Sequence, residues 1–295
     1  MRPIRIVVPF SPGGAADILA RVVGQRLTES WGQQVIIDNR TGAGGIVGSE
    51  IVAKSAPNGY TLMLTSSAHA INASLYSKLP YDTLRDFAAV APVAGISNVL
   101  IVNSNVPVKT VADLIQLAKA KPGQLRFGSA GVGSTLHLAG ELFKSTARID
   151  MIHVPYKGNP QVITDLLAGA IEMSFPPTIN VIPFRQDKRV RVLAVSTPKR
   201  TSALPDVPTL AEAGLAGYAF EAWWGTFASA KTPKALVTRL NDEIRRIQTL
   251  PDVKDTFAKQ GAEAMSMTPA EFDTFVRAEA DKMAKLVKIS GAKAE

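Results

Sequence analysis

Short β-branched apolar runs, alternating with segments of helical spacing, constrain this chain more than any other feature. The runs are "IRIVVPF" (4–10), "QVIID" (34–38), "YTLML" (60–64), "VLIVN" (99–103), "LRFGS" (125–129), "IDMIHVPY" (149–156), "IEMSF" (171–175) and "VRVLAVS" (190–196). Strands apolar at nearly every position are buried on both faces, and intervening helices supply the cover. The pattern predicts an α/β protein with mainly parallel sheet. A chain of 295 residues is long enough to divide into two lobes. Residues 101–222 carry their own strand-and-helix set, while the last part of the chain is mostly helical and needs a sheet to cover. The simplest division is therefore residues 1–100 plus 223–295 as lobe one and 101–222 as lobe two, with hinge crossings near 98–104 and 220–226.

Helix starts are legible. Thr268-Pro269-Ala270-Glu271 offers a cap, a proline at the first helical position and an acid completing a capping box, ahead of a long C-terminal helix. Thr232-Pro233 and Thr110 with Asp113 open two more, the latter closed by Lys121-Pro122-Gly123; Asn159-Pro160 and Thr209 to Glu212 repeat the grammar.

Composition narrows the function. The absence of cysteine removes disulfides, thiolate metal sites and cysteine nucleophiles. His69, His137 and His153 stand apart, without metal-ligand spacing, so neither a metal nor any other cofactor is expected. A net charge of +8 suits an anionic small molecule or a nucleic acid. The basic runs "RQDKRVR" and "NDEIRRIQ" lack interleaved aromatics and read as solvated faces, so no nucleic-acid partner is expected. No apolar stretch is long enough to span a bilayer. The opening "MRPIRIVV" has no basic segment followed by an apolar one, which fits a cytosolic protein or one whose leader has been removed.

Two strand-to-turn-to-helix junctions are candidates for binding. In "VVPFSPGGAADILAR", Gly13 and Gly14 let the backbone turn, and a helix starting near Ala15 aims unsatisfied N–H groups and its positive dipole end at that point. Asp17 reads either as a first-turn acid paired with Arg21 or as an acceptor for a ligand amine, amide or hydroxyl. "FGSAGVGSTLHLAGELF" mirrors it, with Gly128, Gly131 and Gly133 freeing the turn and Ser134 or Thr135 as cap. Two such N-termini on opposed lobes would each receive an oxygen of one carboxylate, or the two carboxylates of a diacid. Tyr156 and Lys157 in "HVPYKGNP" and Ser66, Ser67 and Asn72 after "YTLML" are further candidates at strand ends. "NRTGAGG" (39–45) reads as a flexible turn before it reads as a site, and Trp223-Trp224 as inter-lobe packing before a ligand wall. Ser134 and His137 at i and i+3 raise a hydrolase, but no Gly-x-Ser-x-Gly elbow surrounds either serine.

Ordered blocks along nearly the whole chain, including "RPIRIVVPFSPGGAADILAR", "NRTGAGGIVGSE", "LPYDTLRDFAAVAPV", "HVPYKGNPQVITDLLAGAIEMSF" and "LPDVPTLAEAGLAGYAFEAWWGTFA", resemble the Bug-type (tripartite tricarboxylate transporter) periplasmic solute-binding proteins. The resemblance implies a type II periplasmic-binding-protein fold with two α/β lobes around a cleft, no catalysis, and capture of a small carboxylate or related amide for membrane permease subunits. It implies a periplasmic monomer whose leader has been removed; a sensory role shares the same pocket. The binding role falls on Phe10, Ser11, Gly13, Gly14 and Asp17 with Ser67, Ala68 and Asn72 in lobe one. Opposite them stand Ser129, Gly131, Gly133, Ser134, Thr135 and His137, then Tyr156, Lys157 and Gly158. Where the family usually reads Phe-Asp, this chain has Phe175-Pro176-Pro177, a departure that favours a more anionic or more apolar ligand over an amino acid. Ser11, in place of a family proline, adds a donor at the rim.

Overall fold

A computed structural model describes residues 2–294 and contains two mixed sheets. In chain order the strands are β1 (Ile4–Val8), β2 (Val35–Asn39), β3 (Thr61–Ser66), β4 (Phe87–Ile96), β5 (Val99–Asn103), β6 (Arg126–Ser129), β7 (Ile152–Pro155), β8 (Met173–Ser174), β9 (Val190–Val195), β10 (Ala222–Ser229) and β11 (Ala262–Ala264). The helices are α1 (Ala15–Trp31), α2 (Ile46–Ala53), α3 (Ala68–Leu75), α4 (Val111–Ala120), α5 (Thr135–Ala147), α6 (Asn159–Ala168), α7 (Thr178–Val181), α8 (Lys234–Thr249), α9 (Pro251–Lys259) and α10 (Pro269–Ser290).

The first sheet has the order β11-β4-β10-β3-β1-β2 and the second β7-β6-β8-β5-β9. Chain entry into the second sheet at Val99 and return to the first at Ala222 make two crossings. The expectation of mainly parallel sheet is corrected here. β1 runs parallel to β2 and β3, and β6 to β7 and β8, but β10 lies antiparallel between β3 and β4, and β5 antiparallel between β8 and β9. These two reversed strands are the ones next to the crossings, β5 on entry to the second sheet and β10 on return to the first.

The strong helix signals correspond to helices. Thr268 and Glu271 form a reciprocal capping box on α10, and Thr110 and Asp113 form one on α4. Two starts differ from expectation. Gly158, not Asn159, stands at the cap of α6, with Asn159 as the first helical residue and its side-chain amide donating to Asn180 at 2.8 Å. Thr209 and Glu212 do exchange capping-box bonds of 3.0 and 2.8 Å, yet only turns follow, ending at Gly214 with φ +98°. β4, β10 and β11 were absent from the expected strands. β4 is alanine-rich, a composition of weak strand preference, and is held by burial between β10 and β11.

The core runs through both units. β1, β3 and β10 are buried almost throughout, α1 and α8 cover one face of the first sheet, and α10 packs on β4, α3 and α5. The Ser145 hydroxyl of α5 donates to the Ile289 carbonyl of α10 at 2.8 Å, so the C-terminal helix ties the two units together.

Candidate functional site

The loop after β1 must reverse direction within a few residues, and Gly13 does so at φ +79°, a conformation a Cβ disfavours. Gly14 then caps α1 without a side chain. The N–H groups of Ala15 and Ala16 consequently have no hydrogen-bond partner among the described residues. Asp17 holds this loop in shape. Its carboxylate accepts from the Gly13 N–H (2.9 Å), from Arg21 (2.9 and 3.0 Å) and from Asn39 (3.1 Å), while Asn39 also donates to the Phe10 carbonyl (3.0 Å). Burial alone would raise the Asp17 pKa, but the bonds from Arg21, Gly13 and Asn39 outweigh it and hold the carboxyl below its ordinary value. Of the two readings of Asp17, the geometry displays the structural one.

The loop after β6 repeats the device with Gly131 at φ +109° and Gly133 at φ +82°. Ser134 caps α5 by accepting the His137 N–H at 3.3 Å, which leaves the N–H groups of Thr135 and Leu136 without partners among the described residues. The His137 ring does not engage Ser134; its Nδ1 accepts the Gly133 N–H at 3.2 Å. Burial drives His137 down to about 4, so the ring is neutral and acts as a brace for the loop. His153 lies beside it, ring centroids 4.3 Å apart and tilted by 32°, and meets the Ser129 hydroxyl at 2.6 Å. Ser129 is fully buried and shares its oxygen with the Gly131 turn, so this pair too supports the loop.

The two junctions meet. Gly14, Ala15 and Ala16 on one side and Ser134, Thr135 and Leu136 on the other line a single narrow cavity with Phe10, Ser66, Ala130, Asn159, Pro177 and Trp224. Its free space is about 20 Å³, room for about one water molecule. No side chain in this lining is charged. Positive potential there comes from two helix N-termini and their amides, each terminus equivalent to roughly half a unit charge. Phe10 and Ala130 also border a wider cavity of about 450 Å³ at the mouth, formed with Gly42 to Gly45, Tyr76, Gly131, Val132, Tyr156 and Lys157.

The units touch closely around these cavities. The Ser11 hydroxyl donates to the Lys157 carbonyl (2.9 Å), Asn180 to the Gly13 carbonyl (2.8 Å) and the Tyr76 hydroxyl to the Val132 carbonyl (3.3 Å). A Cβ on Gly44 would lie 1.9 Å from the Val132 carbonyl oxygen, one on Gly133 2.0 Å from Asn72 Oδ1, and one on Gly158 2.6 Å from Ser11.

The other candidates stand around this centre. Asn72 donates to the Gly44 carbonyl at 3.0 Å, Ser67 is fully buried, and the Ala68 N–H is used by Ser66 at 3.3 Å. The Tyr156 hydroxyl donates to Asp165 at 2.7 Å; burial, then the Asp165 carboxylate, pushes its pKa up to about 12. Phe175 lies in the core beside Phe143 and Tyr218, and the Pro176 carbonyl accepts the Val99 N–H at 2.9 Å; neither borders the narrow cavity, whereas Pro177 does. Sequence reasoning missed Asn159, Asn180 and Pro177. It also ranked Trp224 as packing, and successive residues of β10 in fact face opposite ways, Trp224 toward the cavity and Trp223 toward Glu279 at 3.0 Å. The Gly42 to Gly45 turn, read first as flexible, borders the mouth.

Comparison with known proteins gives consistent relatives. Residues 19–292 match the model of the tripartite tricarboxylate transporter family receptor. The protein BugT of Bordetella pertussis is 36% identical over 296 residues, covering 99% of this chain and 90% of BugT. The structure of R. palustris Rpa4515 with adipate superposes with a TM-score of 0.96 at 35% identity, covering 99% of this chain and 98% of that one. MatC from Rhodopseudomonas palustris with bound malate gives 0.93 at 28% identity, covering 97% and 99%.

Proposed function

This chain belongs to the tripartite tricarboxylate transporter receptor family, and from that premise we propose that it is a periplasmic solute receptor that captures a small organic acid between its two units and presents it to membrane permease subunits. It acts as a monomer and performs no catalysis. The two moving lobes are residues 1–100 with 223–295, and 101–222.

The observation that carries this reading is that two helix starts, whose Ala15, Ala16, Thr135 and Leu136 amides have no partner among the described residues, line one cavity without a charged side chain. Amides and dipoles fixed in this way favour a carboxylate and give a cation no partner. The narrow cavity holds about one water, so an acid enters only when the lobes part, and Phe10 and Ala130 border both this cavity and the wider one. A dicarboxylate then places one end on the amides and the other near Lys157 and Tyr156. Ala15, Ala16, Thr135 and Leu136 form the gripping edge, and Gly13, Gly14 and Ser134, whose own N–H groups are engaged, shape the turns that free those amides. Ser11, Gly131, Gly133, Gly158 and Asn72 serve closure, and Asp17, Ser67, Ala68, Ser129 and His137 hold the loops.

The ligand class follows from the lining. With Asp17 occupied by Arg21 and no carboxylate bordering the narrow cavity, an amino-acid ammonium would lack an anionic partner there. Adipate should therefore bind more tightly than glutamate in calorimetry; the reverse order would reject this choice of ligand. The function itself is tested by a thermal-shift screen with adipate and malate, each beside its dimethyl ester. A bound acid raises the melting temperature by mass action, and the esters should not.

A further inference from the structure

We propose that a second small-molecule site lies behind the hinge and that its occupant, a zwitterionic amino acid with an apolar side chain, holds the cleft shut. A cavity of about 540 Å³, within the range of small-molecule sites, opens on the far side of β10 from the cleft. The separation follows from strand geometry, since Trp224 borders the cleft and its neighbour Trp223 borders this rear cavity. The two linings share no residue. Ile96, Trp223, Met265 and Phe275 provide an apolar floor.

Charge at the rim selects the ligand. Arg200 is engaged by Glu212 at 2.9 Å, and Lys282 by Glu279 at 3.1 Å and Glu221 at 3.9 Å. Among the described residues lining this cavity, Lys199 and Glu263 remain without an ion-pair partner, and both are exposed. One free cation and one free anion above an apolar floor match a molecule carrying one carboxylate, one ammonium and a hydrophobic group.

Position gives the site its consequence. Its walls include both crossings, Ile96-Ser97 and Glu221-Ala222, together with residues 197–201 beyond β9 and part of α10. The rear cavity stands at this size while Ser11, Asn180 and Tyr76 bind across the cleft. Opening the front about the same hinge compresses the back, so a molecule wedged behind binds the closed form better and must, by linkage, tighten the cleft's grip on its acid.

This coupling rests on the receptor reading, and the test separates the two. L-Phenylalanine is titrated by calorimetry into the full chain, alone and with saturating adipate, and into the Lys199→Ala/Glu263→Ala double variant, whose changes are both at exposed positions. Saturable binding to the wild type, adipate affinity raised about fivefold by phenylalanine, and phenylalanine affinity lowered at least tenfold in the double variant with adipate affinity unchanged are expected. No phenylalanine binding, weakened adipate binding in its presence, or full phenylalanine affinity in the double variant would overturn the proposal. Should adipate itself fail to bind, the receptor reading falls, and the phenylalanine titrations of wild type and variant still decide whether the rear site exists.

Discussion

Thr135 lines the narrow cavity and carries a hydroxyl as well as an amide without a partner among the described residues. Thr135→Val keeps its shape and removes a donor to a charged group, an interaction worth about 1.5–3 kcal/mol. Calorimetry should show acid affinity weakened by at least about tenfold with the melting temperature nearly unchanged. Ser134→Ala instead removes a helix cap at a cost of about 1 kcal/mol, and model esters should remain unhydrolysed by wild type and variant alike. His69 carries a different prediction. Completely buried among Tyr81, Phe87 and Phe227, it is pushed by desolvation down to about 4, with a Thr83 backbone contact countering only in part. Its neutral form is the folded one, so its contribution is complete above the unfolded value of 6.5 and is lost as pH falls toward 4. Urea unfolding should show stability dropping by about 1.4 kcal/mol per pH unit from this group once the pH is below about 6 and above about 4.5, and His69→Leu should make that part of the slope shallower.

Elements explain how much of the site could be read in advance. The glycine junctions before α1 and α5 were legible because a turn requiring positive φ leaves glycines, and a helix start leaves caps, in consecutive positions. Thr110 with Asp113 and Thr268 with Glu271 were legible for the same local reason. Pro177 and Trp224 were not, since they reach the cavity just after β8 and on the returning strand β10, and Asn180 reaches the Gly13 carbonyl from α7; no local pattern marks a residue delivered by topology. The Ala43 to Gly45 turn shows the limit most clearly. Its glycines suggest looseness, whereas Gly44 is needed because the Val132 carbonyl of the other unit sits where its Cβ would be. Gly44→Ala should therefore hold the lobes apart: small-angle scattering with saturating adipate should give a larger radius of gyration than for wild type, and acid affinity should fall. An unchanged radius and affinity would show that this contact does not govern closure.

At the scale of the whole molecule, the fold brings two independent helix starts to one point between two units that are joined by two crossings and by α10. On the proposed function, Lys157 bordering the wider cavity should separate the acids by length: Lys157→Ala should weaken adipate severalfold and leave a monocarboxylate such as hexanoate unaffected, as compared by calorimetry. The most direct test is a crystal structure of the chain grown with adipate. We expect one carboxylate within hydrogen-bond distance of the amides of Ala15 or Ala16 and of Thr135 or Leu136 together. Adipate bound at one helix terminus alone, or away from both, would contradict the account.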